Sequence, residues 1–316
     1  MKIVVGLMTL ISVLLAGCGG GPDPTPPTAP VVKVGLFIDG AVSGLTYSTP
    51  SQSGVTTASG EFKYIEGETV TFKLMGLEIG KAVGAAYLTP TDIAPEKSLA
   101  AYSLNLMRVI QTLDTDSDAS NGISLPSGGS IPNLNFNLSV AAFEVSPAVL
   151  ALTTSLVKPL VTSKVALEHF GTSLTSIATT TTPTIDLTGK TISGFTFNDG
   201  CTNYLENPWV MQTQQTTVTL TGNENVINNP DGTCSLKTNT PPSNTATYAN
   251  GKNYGLLSCG PICSPVELNQ TFSGGTGSDA FTSNFRYDPI KKRLNIIKYF
   301  SNANQNRVVM GLYSLN

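Results

Sequence analysis

Residues 54–74 read GVTTASGEFKYIEGETVTFKL. In the last part, Val70, Phe72 and Leu74 alternate with Thr69, Thr71 and Lys73. Successive side chains of a strand point to opposite faces, so this spacing predicts a strand with one apolar and one polar side. Phe62 and Tyr64 alternate in the same way upstream, and Glu66-Gly67-Glu68 supplies the turn between the two runs. Gly40, Gly44, Gly54, Gly60, Gly67 and Gly76 punctuate the neighbourhood at close intervals. Short strands separated by glycine turns predict a small antiparallel β-sandwich over residues 31–92.

Beyond it the period changes. Leu99, Tyr102, Leu106, Val109, Ile110 and Leu113 recur at helical spacing and predict an amphipathic helix that packs on the sandwich. Ser146-Pro147 predicts the start of a second helix, a cap followed by the proline favoured at the first helical position, with Pro159 as its breaker. A third helix is expected from Thr162 to Phe170, ending at Gly171 and carrying His169, the single histidine of the chain. With no partner motif beside it, His169 is expected to be structural. These helices form a segment over residues 93–174.

Between them, residues 112–123 read TLDTDSDASNGI. Asp114, Asp116 and Asp118 fall on the first, third and fifth positions of an EF-hand-like loop, where alternating carboxylates wrap a Ca²⁺ ion. The match then breaks. Ala119 stands where the turn glycine belongs and Leu125 where a bidentate glutamate belongs. Asn121 and Ser124 offer further oxygens, and Glu96 or Glu144 would have to supply the missing carboxylate. Two readings stay open: a weak structural calcium site built on Asp114, Asp116, Asp118 and Asn121, or a solvated turn after a helix.

TSIATTTTPTI (175–185) is a threonine-rich linker. After it, TTVTLTG, the Asn229-Pro230-Asp231-Gly232 turn, the Asn250-Gly251 turn, RLNIIKYF and NRVVMGLY predict antiparallel hairpins, hence a barrel or sandwich over residues 186–316. Cys201, Cys234, Cys259 and Cys263 all lie there. In an exported chain they predict two disulfides of open pairing; the rival is zinc, for which Cys259-Gly-Pro-Ile-Cys263 alone has a tolerable spacing. Trp209, Tyr204, Tyr248 and Tyr254 are either core or the lining of an apolar cavity.

Export is written at the other end. Met1-Lys2 precedes an apolar run, Ile3–Leu15, too short for a spanning helix, so residues 1–17 are read as a signal peptide. Leu15-Ala16-Gly17-Cys18 resembles the lipobox of bacterial lipoproteins. The resemblance implies that Cys18 is lipidated, with palmitate-like chains, and becomes the new N-terminus. Gly19 follows it, not aspartate, which implies outer-membrane attachment. GGGPDPTPPTAP (19–30) has no apolar periodicity and should be an extended tether, so residues 18–30 are read as anchor and spacer.

Composition fits that setting. Charged residues make up 12% of the chain, about half the usual share of soluble domains. Loss of residues 1–17 removes one of 18 basic residues and none of 21 acidic ones, leaving 17 − 21 = −4. That weak acidity argues against nucleic acid as a partner.

Three resemblances extend this reading. GVTTASGEFKYIEGETVTF resembles the transthyretin-like, carboxypeptidase-regulatory type of β-sandwich. In chain order, Phe37-Ile38-Asp39, AVSGLTY (41–47), TTASGEFKYIEGE, LTPTDI (88–93), NLMRVIQTLDTDSDASNGI (105–123) and ALEHF (166–170) are similar to a module of surface lipoproteins and adhesin-like proteins of proteobacteria. In the last domain, GKTISGFTF and NPDGTCSL resemble lipocalin-like barrels. No G-x-S-x-G, H-E-x-x-H, P-loop or dinucleotide-binding motif is present, so no catalysis is expected. The expected function is a lipid-anchored outer-membrane lipoprotein that binds a glycan, matrix or envelope protein; the alternative is a lipocalin-like carrier of a small apolar ligand.

Overall fold

The computed structural model describes residues 29–95 and 99–178. Beyond these it describes residues 185–186, 191–198, 206–213, 218–222, 224–230, 234–238, 244–247, 262–263, 271–274, 280–288, 293–300 and 307–315. The elements discussed below belong to the unit Val32–Asn316.

Its first strands are β1 (Val32–Phe37), β2 (Val42–Ser43), β3 (Thr46–Ser48), β4 (Ser53–Val55), β5 (Glu61–Ile65), β6 (Thr69–Leu74), β7 (Leu77–Val83) and β8 (Tyr87–Leu88). All but β2 build two small sheets, ordered β5-β1-β8 and β4-β3-β6-β7. The alternation in the sequence is realised: Phe62, Val70, Phe72 and Leu74 are wholly buried, while Thr69 and Lys73 are exposed. The sheets face each other through aromatic rings. Phe72 on one sheet meets Phe37 and Phe62 on the other at centroid distances of 4.8 and 5.2 Å, the second pair edge-on. Such pairs add about 0.5–1.5 kcal/mol each beyond their burial.

Two local devices shape these sheets. Leu74 pairs with Leu77 across a two-residue turn in which Met75 and Gly76 both have positive φ, 46° and 89°. This primed turn matches strand twist, although its sequence lacks the usual Asn-Gly signal. One bulge interrupts the β6–β7 ladder at Phe72/Lys73, and Gly80 opposite it has φ 126°. A Cβ at Gly80 would overlap the Ile93 carbonyl, so the glycine lets the short helix α1 (Pro90–Ile93) lie against the strand.

Helix α2 (Leu99–Thr112) departs from expectation. Its apolar stripe packs on the sandwich as expected, but its polar face is buried as well: residues 101–112 are all buried. Tyr102, Leu106, Val109 and Ile110 join the sandwich core, whereas Leu104 and Met107 belong to a second apolar cluster on the opposite side. Each polar residue there makes at least one hydrogen bond, although Asn105 Oδ1 and Arg108 Nη1 find no partner among the described residues. Asn105 Nδ2 donates to the carbonyls of Phe136 and Leu138, and Arg108 Nε donates to Val161 O. The Thr112 hydroxyl donates to Arg108 O and accepts from Val161 N–H. Buried polar groups are tolerated when satisfied in this way.

Next come β9 (Ile123–Ser124), α3 (Val140–Glu144), α4 (Pro147–Leu156) and α5 (Ser163–Ala178). α4 starts as expected, with Ser146 Oγ accepting from Val149 N–H, and ends at Val157 in a left-handed conformation (φ 53°), two residues before Pro159. α5 corrects the expected third helix. It passes through Gly171 and runs into the threonine-rich linker as far as Ala178. Glycine costs about 1 kcal/mol against alanine inside a helix. Burial of Leu167, Phe170 and Leu174 on one flank outweighs that cost.

The remaining strands are β10 (Ile185–Asp186), β11 (Thr191–Asn198), β12 (Glu206–Thr213), β13 (Val218–Gly222), β14 (Glu224–Asn228), β15 (Cys234–Thr238), β16 (Asn244–Thr247), β17 (Ile262–Cys263), β18 (Thr271–Gly274), β19 (Phe281–Asp288), β20 (Arg293–Phe300) and β21 (Arg307–Leu315). Eight of them form one antiparallel sheet in the order β16-β13-β12-β11-β21-β20-β19-β18; β14-β15 and β10-β17 pair separately. The antiparallel character matches the hairpin spacing. A closed barrel does not form: among the described residues the sheet is open, with β16 and β18 at its edges. The helices take the place of a second layer. Leu104, Met107, Leu167, Phe170 and Leu174 bury against Ile297, Tyr299 and Val308. α2 and α5 thus lie between the first sheets and the last one.

No helix among the described residues is long and apolar enough to cross a membrane. The described fold is therefore mixed: several open sheets around a few short helices.

Candidate functional site

α2 delivers the chain straight into the acidic loop. Leu113 is buried, and Asp114 after it is buried completely. Asp114 Oδ1 accepts the Ser124 N–H at 2.9 Å, and Thr115 N–H returns a bond to Ser124 O at 3.0 Å, so the loop closes on itself. Ile123 N–H donates to Ala41 O and Leu125 N–H to Ser43 O, which ties the closing strand β9 to β2. From the other side, Lys158 Nζ donates to the main-chain oxygen of Asp114 at 2.7 Å.

Inside this frame the carboxylates differ. Asp114 Oδ2 is buried and has no hydrogen-bond donor among the described residues. Asp116, exposed, accepts the Asp118 N–H on Oδ1 (2.9 Å) and Asn121 Nδ2 on Oδ2 (3.0 Å). Asp118 accepts the Ser120 N–H at 3.1 Å and so caps the short turn Ala119–Asn121. Ser117 makes the bend with φ 62°, an uncommon conformation for a side-chain-bearing residue.

Burial pushes the Asp114 carboxyl above its ordinary range, and the neighbouring Asp116 carboxylate adds to this against the pull of the Ser124 amide. The Asn121 amide and the Asp118 N–H hold Asp116 below its ordinary range. Among the described residues, no three Asp, Glu, His or Cys side chains already converge as a metal cage. Two carboxylates face each other, and the third is turned aside to cap.

Of the two outside contributors expected, only Glu144 is among the described residues. Glu144 is engaged by Arg108 Nη2 at 2.8 Å, and Leu125 is a core residue. Glu96 lies outside the described residues.

A second polar centre was not foreseen. Asp39, fully buried in the turn after β1, accepts Gln111 Nε2 on both oxygens at 3.1 and 3.3 Å. Burial raises its pKa to about 7, against the opposing influence of His169 and the Gln111 hydrogen bond. The same Gln111 nitrogen donates to Ala166 O at 3.2 Å. His169 Nε2 lies 3.0 Å from Asp39 O and 3.5 Å from Ser173 Oγ. One ring nitrogen therefore faces both neighbours, and the Ser173 hydroxyl donates to His169 O at 3.0 Å. Among the described residues no relay in which each ring nitrogen serves a different partner is assembled. The centre joins the first sheets to α2 and α5, and His169 is part of that joint. Asp39-Gly40 looks like an ordinary surface turn in the sequence, so no local signal marks it.

Of the other residues singled out, Cys18, Cys201, Cys259, Tyr204, Tyr248 and Tyr254 lie outside the described residues. Cys234 opens β15 in register with Asn228, and Cys263 closes β17 in register with Ile185. Trp209 sits on β12 between Gly194 and Gly222 of the adjoining strands.

The chain matches no protein-family model, and no curated protein is significantly similar to it.

Proposed function

We propose that this chain is a lipid-anchored outer-membrane lipoprotein with a non-catalytic binding or adhesion role, its partner a glycan, matrix or envelope protein. The observation that carries the reading is the run Leu15-Ala16-Gly17-Cys18, followed at once by the proline- and glycine-rich tether 19–30. Several acyl chains on Cys18 would anchor far more firmly than one. The face-to-face arrangement of the first two sheets supports a transthyretin-like spacer module. The open eight-stranded sheet supports a display surface over an enclosed cavity for a small apolar ligand.

The test is expression of the full chain in a Gram-negative host with labelled palmitate. Uptake of label and partition into the detergent phase are expected for the wild type, and neither for Cys18→Ser. A wild-type protein that takes up no label and stays in the aqueous phase overturns the anchor. The binding role is checked by washing cells that carry each form over immobilised glycans and matrix proteins. Retention should require Cys18, and equal retention of both forms would refute surface display through the lipid.

A further inference from the structure

The acidic loop contains a carboxylate oxygen to which no described residue donates a hydrogen bond. Asp114 is fully buried, its Oδ1 is satisfied by Ser124, and its Oδ2 meets no donor among the described residues. Two residues on, the Asp116 carboxylate takes the Asp118 N–H and Asn121 Nδ2 and stays exposed to water. The nearby cation, Lys158, is held by the Asp114 main-chain oxygen and not by the carboxylate. A buried carboxylate oxygen without a donor is costly. A buried acceptor oxygen two residues from a second carboxylate, with no cation among the described residues bonded to either carboxylate, is an arrangement that a metal ion resolves.

We propose that the loop binds one Ca²⁺ through the carboxylates of Asp114 and Asp116, with Asp118 and Asn121 completing the oxygen set. The donors are hard oxygens on a flexible loop open to water on the Asp116 side, which suits calcium better than the rigid octahedron that magnesium demands. Asp118 and Asn121 are occupied by Ser120 and Asp116. Both must turn toward the ion, so binding reorganises the outer half of the loop and leaves Asp114 in place. The position of the usual bidentate glutamate is Leu125, which is buried in the core. The affinity is accordingly weak, of the kind that only calcium outside the cytoplasm satisfies, with Kd on the order of 10⁻⁴–10⁻³ M. The ion would brace the end of α2 against β9, and through β9 against β2.

The experiment titrates full-length protein in mild detergent with CaCl2 and, separately, MgCl2 by calorimetry, and melts it in calcium and in chelator. One Ca²⁺ per chain, weaker Mg²⁺ and a Tm gain of about 3 °C at ten times the Kd are expected. Asp116→Asn, at an exposed position, and Asp114→Asn, of unchanged shape, should both lose the binding and the calcium-dependent gain. In chelator Asp114→Asn should melt at or above the wild type, because it removes a buried charge and keeps an acceptor for Ser124 N–H, whereas Asp116→Asn keeps only one of the two donors that Asp116 accepts. A wild type that binds no calcium and melts identically in calcium and chelator overturns the site, leaving a carboxyl pair that shares a proton. A calcium-dependent gain that Asp116→Asn retains overturns it as well. Purified protein is used throughout, so either failure leaves the lipid-anchor reading to its own test.

Discussion

Gln111 Nε2 lies 3.1 and 3.3 Å from the two carboxylate oxygens of Asp39, 72 residues away in the chain. This contact, with Gln111 to Ala166 O and His169 to Asp39 O, fastens the turn after β1 to both long helices. The surroundings are apolar enough to raise the Asp39 pKa to about 7. A carboxyl whose pKa is raised on folding binds its proton more tightly in the native state. Its contribution is therefore fully present below the unfolded pKa, near 4, and is lost as pH rises through about 7.

The expected outcome is that wild-type stability falls between pH 4 and 7 relative to Asp39→Asn, by at most about 4 kcal/mol. The neutral amide keeps an acceptor for Gln111. Of the groups facing Asp39, His169 is titratable and Gln111 is not, and the comparison with the amide isolates the carboxyl. Denaturant unfolding of both proteins across this range checks it. Parallel curves would mean that Asp39 is solvated in the folded state.

A second prediction concerns the ion pair of Arg108 and Glu144, 2.8 Å apart with side-chain exposures of 3% and 37%. Desolvation holds the Arg108 pKa below its ordinary value, opposed by Glu144. Glu144→Ala leaves a cation in the interior, whereas Arg108→Met leaves an anion that water already reaches. Removing a partner from a buried pair costs about 3–5 kcal/mol. Solvent access to Glu144 discounts that to roughly 1–3 kcal/mol for Glu144→Ala. Arg108→Met should cost less despite losing the bond to Val161 O. Urea midpoints of the two variants decide the order, and the reverse order would show that the guanidinium is fixed mainly by the carbonyl.

The two-residue period of Val70, Phe72 and Leu74 and the Ser146-Pro147 cap were legible in the sequence because both depend on local geometry. The burial of α2 was not. Asn105, Arg108, Gln111 and Thr112 read as the polar face of that helix, and only partners 31 to 72 residues away turn that face inward. The extension of α5 through Gly171 was hidden for the same reason, since the strands that reward it come more than a hundred residues later. At the candidate site the spacing of Asp114, Asp116 and Asp118 was visible. The complete burial of Asp114 and the engagement of Glu144 by Arg108 follow from tertiary packing that spacing does not encode.

That packing yields the last prediction. Phe170 on α5 is wholly buried in one cluster with Leu104 and Met107 of α2 and Ile297, Tyr299 and Val308 of the last sheet. Truncating a buried phenylalanine costs about 3–5 kcal/mol through lost burial and the cavity left behind. The chain carries one tryptophan, Trp209, on β12 of that sheet, so its fluorescence follows the sheet while far-ultraviolet circular dichroism follows the helices. If the helical layer is common to both sets of strands, Phe170→Ala must lower the two transitions together. Both probes should then shift by the same denaturant concentration, as coincident transitions of a cooperative unit do. A Trp209 transition that stays put while the helical signal moves would mean that the last sheet stands without the helices. The apolar cluster that holds Phe170 and Ile297 would then contribute little to holding the halves together.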